Sequence, residues 1–194
     1  MNNKFLIILF SLIFYSFPSY AHNYTGMVGF YDGISHPVLG LDHFLAMISV
    51  GILSAQIGGR SIFTIPFTFV CIMIIGGILG SYFTKIDHIL IEYGIIFSVI
   101  FLGLAIAIDK KLSKNITIVI IGVFGLFHGV AHGLEMPNAA NPLLFASGFA
   151  SGTAALHIFG VGIAYFAIKT KYSSMLLRLI GILFSFYGIY LFSS

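Results

Sequence analysis

Six apolar stretches, each about as long as a bilayer crossing, leave this chain one kind of fold. They run near 38–58, 62–84, 89–109, 115–135, 142–168 and 175–192. A helix needs about 20 apolar residues to cross a hydrocarbon core about 30 Å thick. Short polar breaks separate them: Gly59-Arg60, Lys85-Ile86-Asp87-His88, Asp109 to Asn115, Pro137 to Pro142, and Lys169 to Ser174. Composition agrees. Of the 194 residues, 59% are hydrophobic and 8% are charged, whereas a soluble domain carries roughly 25% charged residues. A chain this apolar cannot cover a water-facing surface, so lipid is its solvent. The expected fold class is an all-α membrane protein, with six transmembrane helices forming one domain over residues 22–194.

The first 21 residues read as a cleaved N-terminal signal peptide. Lys4 gives a positive start, Phe5 to Phe17 a short apolar core, and Pro18-Ser19-Tyr20-Ala21 a small-residue cleavage site. Loop charge then orients the bundle. Arg60, Lys110, Lys111, Lys114, Lys169, Lys171 and Arg178 fall on one side, and Lys85 alone on the other. The positive-inside rule makes the first side cytoplasmic, so the mature N-terminus and the C-terminus are expected outside. The expected location is the bacterial inner (cytoplasmic) membrane, crossed several times. A formal net charge of +3, with its lysines in short loops, offers no tract for nucleic acid. The single cysteine, Cys71, excludes an internal disulfide and a thiolate cluster.

Polar residues are rare enough in the spans to be informative, because an intramembrane charge costs about 2.5–3.5 kcal/mol on insertion scales. Two clusters stand out. The first is His36-Pro37-Val38-Leu39-Gly40-Leu41-Asp42-His43, running on to Met47. Pro37 suits the first turn of a helix, which would set His36 at the helix mouth. His36, Gly40, His43 and Met47 would then share one helical stripe, with Asp42 about 100° away from His43. The second runs from Phe127-His128-Gly129-Val130-Ala131-His132 to Gly133-Leu134-Glu135-Met136-Pro137. His128 and His132, four apart, share a face; Glu135 continues it, and Pro137 closes the helix. Alternating topology places both clusters in the outer turns of spans one and four. His157, with Thr153 one turn before it, lies deeper, about 22 Å along the helix from Pro142. His88 follows Asp87 in a loop and reads as solvated. If cleavage follows Ala21, the α-amino group and imidazole of His22 could chelate one ion, with residues 22–34 as a flexible tether. Gly76 with Gly80, Gly148 with Gly152, and the Gly125, Gly129, Gly133 ladder mark faces for close helix packing.

Imidazole with carboxylate is a donor set for zinc, copper, iron, nickel or cobalt, whereas magnesium and calcium sites are built from oxygen. Methionines are too few near these clusters for a thioether path for Cu(I). Ligand type does not rank nickel, cobalt and zinc. No Gly-x-x-x-x-Gly-Lys-Ser/Thr loop is present to drive active pumping. The reading is a non-enzymatic permease with no prosthetic group, whose partners are the ion and the lipid bilayer. The alternative is an intramembrane zinc-dependent hydrolase using the same histidines. A zincin's general-base glutamate is missing after His128, where Gly129, Val130 and Ala131 stand, although Glu135 could serve.

The stretches His36-Pro37-x-x-Gly40-x-Asp42-His43-x-x-Ala46-Met47-x-x-Val50-Gly51 and Phe127-His128-Gly129-x-Ala131-His132-Gly133-x-Glu135-x-Pro137 resemble the signatures of the HupE/UreJ family. So does Gly148-Phe149-x-x-Gly152-Thr153-x-x-Leu156-His157-x-x-Gly160. The resemblance covers essentially the whole mature chain. It implies a secondary permease for nickel, or for cobalt, that supplies hydrogenase, urease or cobalamin synthesis. It also implies metal-binding roles for His36, Asp42, His43, His128, His132 and Glu135. One departure is Gly152, where the family pattern leads one to expect alanine.

Overall fold

The apolar stretches fold as helices with the ends that their polar breaks dictate. The computed structural model describes residues 29–83, 85–109, 112–137, 141–170 and 172–193. Over these residues the elements are α1 (Phe30–Leu39), α2 (Leu41–Ile57), α3 (Ser61–Tyr82), α4 (His88–Ile108), α5 (Lys114–Leu134), α6 (Pro142–Ile168) and α7 (Ser173–Ser193). Helices α3 to α7 are each long and apolar enough to cross a membrane, and α1 with α2 make a sixth, bent candidate. The residues read as a signal peptide, and His22, lie outside the described residues.

Local signals set the boundaries. The Asp87 carboxylate caps α4 by accepting from Ile89 N at 2.9 Å, and the Asn141 side chain caps α6 by accepting from Leu143 N at 3.0 Å. Such caps satisfy backbone donors that have no partner within the helix. Pro142 occupies the first turn of α6, where its missing N–H costs nothing. The turn from α2 to α3 is Gly58-Gly59, both at positive φ (+78° and +58°), a conformation that glycine adopts freely.

Span one departs from expectation. It is two helices meeting at Gly40 with a bend of 83°. Pro37 opens no helix; it sits inside α1, two residues from its end. Its nitrogen has no hydrogen to give to the carbonyl four residues back, which weakens the last turn. Gly40 then takes an extended conformation, and Phe44 N donates to its carbonyl at 2.8 Å to start α2. The single stripe of His36, Gly40, His43 and Met47 is therefore broken, with His36 on α1 and His43 and Met47 on α2. Residues 30–34, expected in a flexible tether, are helical and packed: a side chain on Gly33 would run into the Phe145 carbonyl of α6.

Helix α2 is the hub and touches every other helix. From His43 to Ser54, all of its residues except Phe44 are buried. The expected glycine faces do the packing around it. The ladder of α5 meshes with α3, where a Cβ on Gly129 would strike the Met73 carbonyl and one on Gly133 the Gly77 carbonyl. Gly148 and Gly152 receive α1, at the carbonyls of Phe30 and Ile34. A methyl at position 152 would lie 2.8 Å from the Ile34 oxygen, which accounts for glycine there instead of alanine. Large apolar side chains such as Phe63, Phe67, Ile158, Phe166 and Phe186 face outward, as a lipid-facing surface requires.

Candidate metal path

Four imidazoles from three helices meet at one end of the bundle. His36 comes from α1, His43 from the first turn of α2, and His128 and His132 from the last two turns of α5. The ring of His36 lies 4.9 Å from that of His132, His132 lies 5.1 Å from His43, and His43 lies 4.8 Å from His128. The bend at Gly40 makes this possible, because it swings α1 across so that His36 approaches His43 at 6.0 Å from the side. Glu135, one residue past α5, bonds His36 through Oε2 and Nε2 at 2.6 Å and closes the file at its exposed end. At the buried end the Phe69 ring touches His128 at 5.5 Å and His157 at 5.2 Å. The series thus runs from a partly exposed pair at Glu135 to the fully enclosed His157.

Hydrogen bonding determines which nitrogens are open. The Asp42 Oδ1 stands 3.0 Å from His43 Nδ1. An ionised carboxylate only accepts, so Nδ1 carries the proton and Nε2 presents a bare lone pair. Far from pointing away, Asp42 is the residue that orients His43. The Ser98 hydroxyl donates to the Ile95 carbonyl at 2.6 Å and meets His128 Nε2 at 3.0 Å. Its one hydrogen is used, so His128 Nε2–H donates to it and Nδ1 is left open. His132 lies flat on Phe149 at 4.9 Å, and neither of its nitrogens has a partner. Neither has that of His157. Among the described residues, most of the buried side-chain polar atoms left without a partner are nitrogens of His43, His128, His132 and His157. Leaving such an atom unsatisfied costs about 1–3 kcal/mol. Histidines kept only for packing would not be expected to bear that cost at every position. Open lone pairs, fixed by a partner on the ring's far side, are how metal-ligating histidines are commonly held.

Among the described residues, no three His, Cys, Asp or Glu side chains form a ready-made metal cage. The arrangement is a file of donors that an ion could meet in succession. A resident catalytic zinc needs three protein ligands at once, so the hydrolase alternative gains no support from it.

A family model described as HupE / UreJ protein matches residues 10–191. The chain belongs to the HupE/UreJ family. Among its relatives, "Protein HupE" of Rhizobium leguminosarum bv. viciae is 36% identical over 163 residues, covering 83% of this chain and 84% of that one. No solved structure matches.

Within this HupE/UreJ fold, His36, Asp42, His43, His128, His132 and Glu135 come together, as their sequence motifs anticipate. His157 joins them only through Phe69. His88 is exposed at the start of α4, away from the file. Sequence reasoning missed three supporting groups. Ser98 sets the His128 tautomer, Phe149 carries His132, and Phe69 touches both His128 and His157. Apolar and small hydroxyl residues blend into any membrane span. The i, i+4 spacing of Phe149 to Thr153 and His157 was the one available signal.

Proposed function

We propose that this chain is a secondary transporter importing a divalent transition-metal ion, nickel or cobalt, with zinc the nearest competitor. The observation that carries the reading is the file of buried imidazoles with unpartnered nitrogens, two of which, His43 and His128, are oriented by Asp42 and Ser98. Capture occurs at His36, His43, His132 and Glu135, and the ion then moves by His128 towards His157. Loop charge supports placing the histidine end outside. Neutral imidazoles are strong enough to strip water from a borderline transition ion, and unlike a charged cage they release it again. Membership of the HupE/UreJ family supports transport as the class of activity. Competition decides between the ions. Cells expressing the chain should accumulate radioactive nickel, and excess cobalt should suppress that uptake more strongly than excess magnesium. Uptake no greater than in cells lacking the protein would refute the reading.

A further inference from the structure

Among the described residues, His157 makes its ring contact with Phe69 and with no other imidazole. Helix α6 presents Phe149, Thr153 and His157 at intervals of one turn. Phe149 carries His132, and His157 faces Phe69. Phe149 and His157 are eight residues apart, about 12 Å of helix. Two nitrogens sharing one ion at about 2.0–2.1 Å each lie only about 4 Å apart. The Phe69 ring touches both His128 and His157 and offers no lone pair.

Thr153 lies between Phe149 and His157 on α6. Its hydroxyl meets the Met73 Sδ of α3 at 3.6 Å, and both residues are fully buried. Thr68, Thr117 and Ser151 return their hydroxyls to the carbonyl four residues back, the usual habit of a hydroxyl in a helix, while Ser185 also crosses to the Ile100 carbonyl at 3.0 Å. Thr153 reaches across to another helix and points at a thioether. Met73 lies one turn beyond Phe69 on α3, towards the histidine end, and the gap left by Gly129 lets its backbone approach α5.

We propose that Met73 and Thr153 form the selectivity step of the path, where a thioether sulfur and a hydroxyl oxygen receive the ion between the outer imidazoles and His157. This rests on the transport reading above. A thioether is a soft donor that favours a softer transition ion over magnesium and manganese, which prefer oxygen. The hydroxyl holds the sulfur in place when the step is empty and turns its own oxygen to the ion when it is filled. Methionine, set aside in the sequence as too scarce to matter, then contributes one sulfur at one place.

The test is uptake of nickel and of manganese by membrane vesicles holding the full chain, with the amount of protein in the membrane measured for each variant. Met73→Leu keeps apolar volume and removes the sulfur, a swap that cores tolerate. It should lower the nickel-over-manganese ratio about tenfold, the smaller end of what a lost supporting interaction does to metal affinity. Thr153→Val should lower it less, and the double variant no further than Met73→Leu alone. A Met73→Leu ratio within about twofold of the parent would make Met73 packing only, as would equal losses for both ions. If the parent itself accumulates neither ion, the transport reading fails, and this step fails with it.

Discussion

Asp42 settles which nitrogen of His43 faces the other imidazoles, so its removal should act through that ring. Asp42→Ala should weaken metal uptake by about 10- to 100-fold, the usual effect of losing a partner behind a ligating histidine. Asp42→Asn keeps a carbonyl oxygen that can accept from Nδ1 and should retain part of what alanine loses. Equal loss in both variants would point instead to a carboxylate that touches the ion itself. His43→Ala and His132→Ala should abolish uptake while the protein still reaches the membrane. His88→Ala, at an exposed position, should leave uptake unchanged. Acid should inhibit as well, because an imidazole must lose its proton to ligate and an ordinary histidine titrates near ~6.5. Uptake measured at successively lower pH should fall, and it should return on neutralisation. These residues were legible in the sequence because charged and imidazole groups are scarce among apolar ones. Ser98 and Phe69 were not, since nothing distinguishes a serine or phenylalanine in a span until its neighbour is known.

Helix boundaries were legible wherever an apolar run meets a polar break. The span expected at 142–168 is α6 to the residue, and those at 62–84, 89–109 and 115–135 shift by one or two. The first span was misread because hydropathy carries no direction: Val38 to Ile57 reads as one apolar run whether straight or bent. Pro37 fits a helix start or its last turn equally well, and only the packing of α1 on α6 decides. The joint can be tested at Gly40. Its φ of −78° suits any residue, but a Cβ there would lie 3.1 Å from Asp42 Oδ1 and 3.3 Å from His43 Nδ1. Gly40→Ala should therefore leave a folded protein in the membrane and reduce uptake by disturbing that pair. Gly133→Val is the opposite case, because its side chain would collide with the Gly77 backbone. It should destabilise by about 1–3 kcal/mol or more, seen as a lower melting temperature in detergent. Gly162→Ala, facing open space, should melt no lower than the parent.

For the whole molecule, the question is what drives the ion inward. With no nucleotide loop in the sequence, membrane potential is the simplest source. Two charges moving inward gain 2 × 2.3, or about 4.6 kcal/mol per 100 mV, which exceeds a thousandfold in equilibrium ratio at 1.4 kcal/mol per tenfold. Collapsing the potential of energised vesicles with an ionophore should stop accumulation. Continued accumulation would favour coupling to protons. The same scale explains why the file runs through the core of the bundle: only buried donors can lower the barrier that hydrocarbon raises against a double charge.

The bend at Gly40 would let α1 turn as a crank about α2. His36 rides on the short arm, four residues or about 6 Å from the joint, while His43 is fixed to the central helix. Rocking α1 by about 20° on its bed of small residues would carry His36 through roughly 2 Å, by arc length on that arm. The ring centroids stand 6.0 Å apart, and two nitrogens sharing one ion would themselves lie about 4 Å apart. A modest swing of α1 would therefore change how closely the two imidazoles approach. The Glu135 bond to His36 ties α1 to the end of α5. A disulfide engineered between α1 and α6 would lock the crank, and uptake should then return only when reductant is added.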